Sequence, residues 1–490
     1  MSLEEYFTKY RDNILGIDHE FRTPCCTQKI IYADWIASGR MYAPIEKLLN
    51  ENFYPFVGNT HSESSITGAS MTKAYEEAKR IIKKHVKASA DDVILFSGYG
   101  MTGAVNKLQR IFGLRIPEQV QKYISIPLED KPVVFITHME HHSNQTSWLE
   151  TIADIVIIEP DENGLADLSD LESKLKFYAN RKLKIGSFTA ASNVTGVQPP
   201  VHTMAKIMHK NGGLCFIDYA ASAPYVEINM HPNDPEERFD AIFFSPHKFL
   251  GGPGSSGVLI FNKKLYNLKV PDQPGGGTVE WTNPWGEHKF SEDIEIREDG
   301  GTPGFLQAIK AALAIKLKEE MGVKNILDRE HELLIKVFMR FDKIPSLHIL
   351  ASSNRDRLGI ISFYVEDLHY NLIVKLLNDR FGIQVRGGCS CAGTYGHYLL
   401  HVDPNRSKRI TDKINNGDLS EKPGWVRLSL HPTMTDSELD YILSAVEKVV
   451  ANAEEWSHNY IYSPSRNEFL HQNDAQNEID EVKKWFHFQN

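Results

Sequence analysis

The chain has 490 residues, 41% hydrophobic and 24% charged, the balance of an ordinary globular protein long enough for two domains. Its 54 Lys and Arg against 64 Asp and Glu leave a formal charge of −10, which argues against broad nucleic-acid or anionic-membrane binding, and no apolar run reaches membrane-spanning length. Five cysteines, odd in number and sparse, make no disulfide framework; with the acidic start Met1-Ser2-Leu3-Glu4-Glu5 where a signal peptide would be basic, they point to a reducing cytoplasm.

The apolar run 93–96 is a predicted buried strand, followed by Gly98-Tyr99-Gly100-Met101-Thr102-Gly103 and a helical pattern at 104–108. The dinucleotide reading of this G-x-G-x-x-G wants an acidic strand end about 20 residues on. Here Ile116-Pro117-Glu118-Gln119 stands instead. What survives is a helix N-terminus with free N–H groups and the Thr102 hydroxyl, suited to one phosphate.

Further strands are predicted at 133–137, before Met139-Glu140-His141-His142-Ser143-Asn144, at 155–158, and at 185–189, before Asn193. A helical stretch at 204–208 leads to the strand 214–217, which closes on Asp218, either a turn cap or an acid facing a ligand. The run 241–244 ends at Ser245-Pro246-His247-Lys248, with Gly251-Gly252-Pro253-Gly254 and a strand at 257–260 beyond it. A lysine at the mouth of a buried strand sits where desolvation lowers its pKa, as Schiff-base chemistry needs, although a plain turn lysine reads the same. A second glycine match at 252–257 precedes a strand rather than a helix and reads as packing space beside Lys248. Strand–helix alternation argues an α/β fold with a mostly parallel sheet, and His141, Asn193, Asp218 and Lys248 then form four polar strand tips at one crevice. Residues 306–321 read as a long helix bridging to an α+β region at about 325–450, and past 451 the chain is polar and aromatic with a last helix near 478–486.

With these residues in place, the chain resembles the class V aminotransferase group of fold-type I pyridoxal-phosphate enzymes, closest to the cysteine desulfurase and selenocysteine lyase branch. The resemblance runs from about Tyr32 to Val450. It rests on Glu140-His141-His142, Ser192-Asn193-Val194, Asp218, Ser245-Pro246-His247-Lys248, Gly275-Gly276-Gly277-Thr278, Gly301-Thr302-Pro303, Val385-Arg386-Gly387-Gly388-Cys389-Ser390-Cys391 and Val426-Arg427-Leu428-Ser429. It implies a large domain, 31–325, with a seven-stranded, mostly parallel sheet, and a smaller α+β domain from 1–30 and 326–490 that includes an extra C-terminal tail. It also implies pyridoxal 5'-phosphate as cofactor, a small amino-acid substrate, a homodimer and a sulfur-acceptor protein as a further partner.

Position by position, Lys248 would hold the cofactor and move protons, Asp218 would keep the ring nitrogen protonated, His141 would stack on the ring and Asn193 would bond its phenolic oxygen. Gly100, Met101, Thr102, Ser245 and His247 would hold the phosphate, joined by Thr278 from the other subunit of the dimer. Arg427 would grip the substrate carboxylate, and Cys391 would be the nucleophile that takes sulfur as a persulfide, releasing alanine from L-cysteine. Arg386, five residues before Cys391, is a candidate for activating the thiol.

The chain departs from the branch in three places. Ala221 stands where desulfurases often carry Gln, and Cys389 where a His commonly precedes the nucleophile by two residues. The 36 positions from Cys391 to Arg427 exceed the expected spacing, and the added part, about 396–423 with Tyr398, His401, Arg406, Lys408 and Arg409, would form a lid or reshape the substrate pocket. Alternatives therefore stay open: an aminotransferase, epimerase or β-lyase needing no thiol, or a thiol- or metal-binding sulfur carrier using Cys389, Cys391, His397 and His401 as a tetrahedral set. Cys25, Cys26 and Cys215 read as structural.

Overall fold

The computed structural model describes residues 1–60, 63–98, 100–473 and 482–487. Tyr99 of the glycine motif and residues 478–481 of the expected last helix lie outside them, while 482–484 form one helical turn. After helix α1 (Ile66–His85) the chain alternates strands and helices: β1 (Asp92–Ser97), α2 (Gly100–Ile111), β2 (Val133–Thr137), α3 (His142–Leu149), β3 (Asp154–Ile158), α4 (Leu168–Phe177), β4 (Lys184–Thr189), α5 (Val201–Lys210), β5 (Leu214–Asp218), β6 (Ala241–Phe244) and β7 (Gly257–Asn262). The seven strands form one sheet in the order β1-β7-β6-β5-β4-β2-β3. The period-two alternation of side chains explains why the strands are apolar throughout. Ile217, Ile242, Phe244, Val258 and Ile260 pack into the core on one face, and Phe216, Ala241, Phe243, Leu259 and Phe261 into the core on the other. Strands β2 to β6 run parallel, whereas β7 pairs antiparallel with both β6 and β1. No α-helix separates β6 from β7, only the Ser245–Ser256 region with its single turn of helix at Pro246–Lys248, so the chain returns antiparallel.

A hairpin, β8 (Val279–Thr282) and β9 (His288–Phe290), precedes the long helices α6 (Phe305–Met321) and α7 (Val323–Phe341). A second sheet follows, ordered β10-β11-β13-β12, from β10 (Leu347–Ile349), β11 (Ile360–Val365), β12 (Arg386–Gly388) and β13 (Trp425–Ser429). Helices α8 (Tyr370–Phe381) and α11 (Asp436–Ser457) cover it, with Phe363, Ile373, Leu376, Val426, Leu428, Leu443 and Val446 in its own core. The N-terminal helix Leu3–Arg11 touches both bodies: Phe7 and Tyr10 join the core beside the large sheet, and Arg11 pairs with Glu438 at 2.6 Å.

Two regions differ from the sequence reading. The added part after Cys391 folds as two helices, α9 (Gly393–Leu399) and α10 (Pro404–Asn415), with Asp403 capping the second through the N–H groups of Asn405 and Arg406. The chain past 451 continues α11 and then turns back as a hairpin, β14 (Tyr460–Ser463) with β15 (Glu468–His471), tied to α8 where Asn467 Nδ2 donates to the Tyr370 hydroxyl at 2.6 Å. Strands of four residues with mixed polarity give too few alternations to be read from sequence.

Candidate active site

The carboxyl ends of the parallel strands converge on a cavity of about 210 Å³. Of the residues assigned to cofactor, substrate or nucleophile, all but Gly100 and Thr278 line it. Strand β6 leads through Ser245 into a one-turn helix, Pro246–Lys248, that aims the lysine inward. Burial pushes the Lys248 amine down to about 8, against the pull of the Asp218 carboxylate. Asp218, last residue of β5, is wholly buried; its Oδ1 accepts the Ala220 N–H at 2.8 Å, and burial pushes its carboxyl up to about 6.

The phosphate-sized end lies at the start of α2. Gly100 has φ +61, and a Cβ there would sit 2.9 Å from Ser245 Oγ, so only glycine fits without strain. Ser245 Oγ accepts the Met101 N–H at 2.8 Å, and the Thr102 and Ser143 hydroxyls bond at 2.7 Å across the mouth. Gly257 confirms the packing role of the second glycine match: a Cβ there would lie 2.0 Å from the Gly100 carbonyl oxygen.

His141 caps α3, its Nδ1 accepting the Ser143 N–H at 3.1 Å, which leaves the proton on Nε2. Burial and the nearby Lys248 push its pKa down to about 3, so the ring is neutral. His247 is likewise pushed down to about 4. Sequence reasoning gave Glu140 no role. Its buried carboxylate accepts from the Thr137 hydroxyl at 2.6 Å, the Thr189 N–H at 2.9 Å and Asn144 Nδ2 at 2.8 Å, bracing the histidine corner on β2 and β4. The motif Glu140-His141-His142 held that signal, a carboxylate inside a strand-end loop.

The opposite wall comes from the second sheet. Arg386 of β12 and Arg427 of β13 face each other in register, a repulsive pair on its own. Asp34 resolves it, with Oδ2 at 3.1 Å from Arg386 and Oδ1 at 2.7 Å from Arg427. Asp34 ends the short apolar run Ile30-Ile31-Tyr32-Ala33, but it lies 352 positions from Arg386, and nothing local in the sequence pairs it with the two arginines. Arg427 is 3% exposed; it also donates to the Asn193 carbonyl at 3.2 Å, and its Nε is buried without a partner. Arg386, expected to act on Cys391, is held by Asp34 on the same wall.

The cysteine loop closes the mouth. Residues 389–392 form a turn in which the Ala392 N–H donates to the Cys389 carbonyl at 2.9 Å, with Ser390 and Cys391 both left-handed, φ 51 and 58. The His142 N–H donates to the Cys391 carbonyl at 2.7 Å, Asn193 Nδ2 to the Ser390 carbonyl at 2.7 Å, and the Gly393 N–H to His142 Nε2 at 2.9 Å. The loop is thereby clipped to the strand tips, with Cys391 exposed and lining the cavity. No residue of 396–423 lines this cavity.

Thr278 stays apart, its hydroxyl donating to the Gly275 carbonyl of its own turn at 2.6 Å. His397 is engaged by the Gly393 carbonyl and the Ser407 hydroxyl, both at 2.8 Å, and among the described residues no group of three or more His, Cys, Asp and Glu side chains is arranged to hold a metal. Cys215 is buried, with its thiol pushed well up by burial, whereas Cys25 and Cys26 are exposed.

A mostly parallel seven-stranded sheet with this crevice at its carboxyl ends is the architecture of fold-type I pyridoxal-phosphate enzymes. The family model described as Aminotransferase class-V matches residues 31–442, and the chain belongs to that family of pyridoxal-phosphate-dependent enzymes. It is similar to a probable cysteine desulfurase of Halalkalibacterium halodurans, 28% identical over 367 residues, 74% of this chain and 84% of that one. A probable cysteine desulfurase of Pyrococcus abyssi is 28% identical over 429 residues, 86% and 95% of the two chains. Among solved structures, the apo cysteine desulfurase of Thermococcus onnurineus NA1 superposes with a TM-score of 0.71 at 26% identity, covering 86% of this chain and 95% of that one. The Escherichia coli cysteine desulfurase CsdA, at 20% identity, shares the fold with a TM-score of 0.71 over 91% and 98% of the chains.

Proposed function

We propose that the enzyme is a cysteine desulfurase: it binds pyridoxal 5'-phosphate at Lys248, takes L-cysteine and returns L-alanine with the sulfur as a persulfide on Cys391. One observation carries this reading: an accessible thiol, Cys391, lines the same cavity as the buried Lys248 and Asp218. The residues fit the cofactor. The glycine-bounded start of α2, with the Thr102 and Ser143 hydroxyls, suits a phosphate. Asn193 Nδ2 spends one of its two N–H groups on Ser390 and keeps the other for a phenolic oxygen.

Pyridoxal phosphate, when bound, supplies an electron sink for the bonds at the substrate α-carbon. Lys248, poised near neutrality, holds the group and moves protons at that carbon. Asp218 keeps a proton on the ring nitrogen, and neutral His141 offers a flat face for stacking. Arg427 presents a planar fork, with a free Nε, to the carboxylate. Cys391 as thiolate attacks the substrate sulfur; a sulfur–sulfur bond forms, the carbon–sulfur pair stays with carbon, and protonation gives alanine.

Similarity to cysteine desulfurases supports the substrate, and selenocysteine would suit the same attack. A homodimer would cover the hairpin β8–β9, whose Trp281 and Trp285 are exposed, and would bring the Thr278 loop to a neighbouring site. All five cysteines are free thiols, in keeping with a cytoplasmic setting. We also infer a division into a large domain ending near 325 and a small one from 326, supported by the separate cores of the two sheets; of the expected small-domain segment 1–30, Phe7, Tyr10 and Ile14 pack into the large core.

The test is incubation of the holoenzyme with L-cysteine under reducing conditions, reading alanine and sulfide. Cys391→Ala should keep the cofactor absorbance and lose alanine formation by about a hundredfold or more. Sulfide with pyruvate, unchanged in that variant, would establish a β-lyase; transfer of the amino group to an added keto acid would establish an aminotransferase.

A further inference from the structure

The loop that carries Cys391 is a partition. Its inner side faces the cavity; its outer side forms one wall of a groove of about 270 Å³ bounded by Tyr370, Asn371, Lys422 and Asn467. Cys391 lines both spaces, while Cys389 lines the groove but not the cavity. Cys389 is half-buried, packed against the apolar cluster that contains Ala392, Tyr395 and Trp425, which fixes its side of the turn.

The turn also sets the spacing of the two thiols. With Ser390 left-handed and the Cys389 carbonyl bonded to the Ala392 N–H, a helical turn of either hand would put the Cα atoms of 389 and 391 about 5.4 Å apart, with a rotation at the Cys389 backbone needed to turn the two thiols toward each other. That separation is near the most common value for bridged cysteines. An extended loop would open the spacing toward 7 Å and beyond easy bridging.

We propose that Cys389 is a resolving thiol that expels the sulfur from Cys391 as hydrosulfide into the outer groove. This rests on the desulfurase reading above. Cys389, as thiolate, attacks Sγ of the Cys391 persulfide. A bond forms between the sulfurs of Cys389 and Cys391, and the bond from Sγ to the terminal sulfur breaks. The terminal sulfur leaves with the electron pair as HS⁻, so it is reduced by two electrons while the two thiols become a disulfide. The thiol proton of Cys389 passes to solvent, and a dithiol reductant restores the pair for the next turnover. The groove suits the leaving anion: Arg386 borders it, and the Lys422 ammonium there has no ion pair among the described residues. It also gives sulfur a way out that avoids the cofactor side.

The test is a single turnover. Reductant-free holoenzyme is mixed with one equivalent of L-cysteine and quenched with an alkylating agent; alanine, sulfide and the mass of the peptide holding both cysteines are then measured. Wild type should yield alanine and a stoichiometric amount of sulfide, with the peptide lighter by two hydrogens. Cys389→Ser and Cys389→Ala should both give alanine, release at least tenfold less sulfide, and keep one extra sulfur on Cys391. Alanine with the extra sulfur retained in wild type, on either cysteine, overturns the resolving role and leaves the desulfurase reading intact. No alanine from any form overturns the desulfurase reading itself.

Discussion

Lys248 and Asp218 are each burdened by the same dry cavity, in opposite directions. Burial favours a neutral amine and a neutral acid, and each partner's charge restrains the other's shift. The neutral amine is the form that captures an aldehyde, so uptake of pyridoxal phosphate by the apoprotein should speed up as pH rises and level off above about 8. Asp218→Asn removes the carboxylate that holds the amine up, so the midpoint should move to lower pH; stopped-flow absorbance of the uptake checks both. Residues at this scale divide by how local their signals are. Lys248, Asp218, His141 and Asn193 could be read because each follows a predicted strand, an unbroken apolar run in the first three, and a parallel sheet gathers such ends. Asp34 could not, because its partners Arg386 and Arg427 arrive from the far end of the chain.

The element that matters most to the thiol chemistry is β13. Arg427 faces the cavity, while Trp425, two residues earlier, lies wholly buried beneath α9, where a Cβ on Gly396 would come within 3.2 Å of its ring. Because α9 begins two residues after Cys391, the indole fixes the far end of the cysteine turn. Trp425→Ala should cost about 3–5 kcal/mol of stability, seen as a lower urea midpoint, and amide exchange should rise across 389–399 before it rises in the large sheet. Helix α9 has seven residues, two of them glycines, too short to announce itself in sequence. The long helices α6 and α11 were legible because their apolar spacing persists over several turns.

At the scale of the whole molecule, α7 meets the second sheet through a buried acid. Glu330 Oε2 accepts the Gly359 N–H at 3.1 Å while Oε1 has no partner, and burial pushes the carboxyl up to about 8. In the unfolded chain that group ionises near its usual value of about 4.3, so between there and about 8 the folded protein holds a proton the unfolded chain lacks. Its contribution to stability is therefore full in acid and lost as pH rises toward 8. Glu330→Gln keeps the acceptor without the charge; its urea midpoint should match wild type near pH 5 and exceed it at pH 8. The joint between the two bodies also bears on what the enzyme admits. Asp34 already neutralises part of both arginines' charge, so a carboxylate reaching the unpartnered Nε of Arg427 shares the cation with another anion and gains less by that contact. A simple acid is left with this weakened grip, while an amino acid also brings an amine that can react where Lys248 sits. The wall thus contains its own competitor, and selectivity for bifunctional ligands begins before any chemistry at the α-carbon.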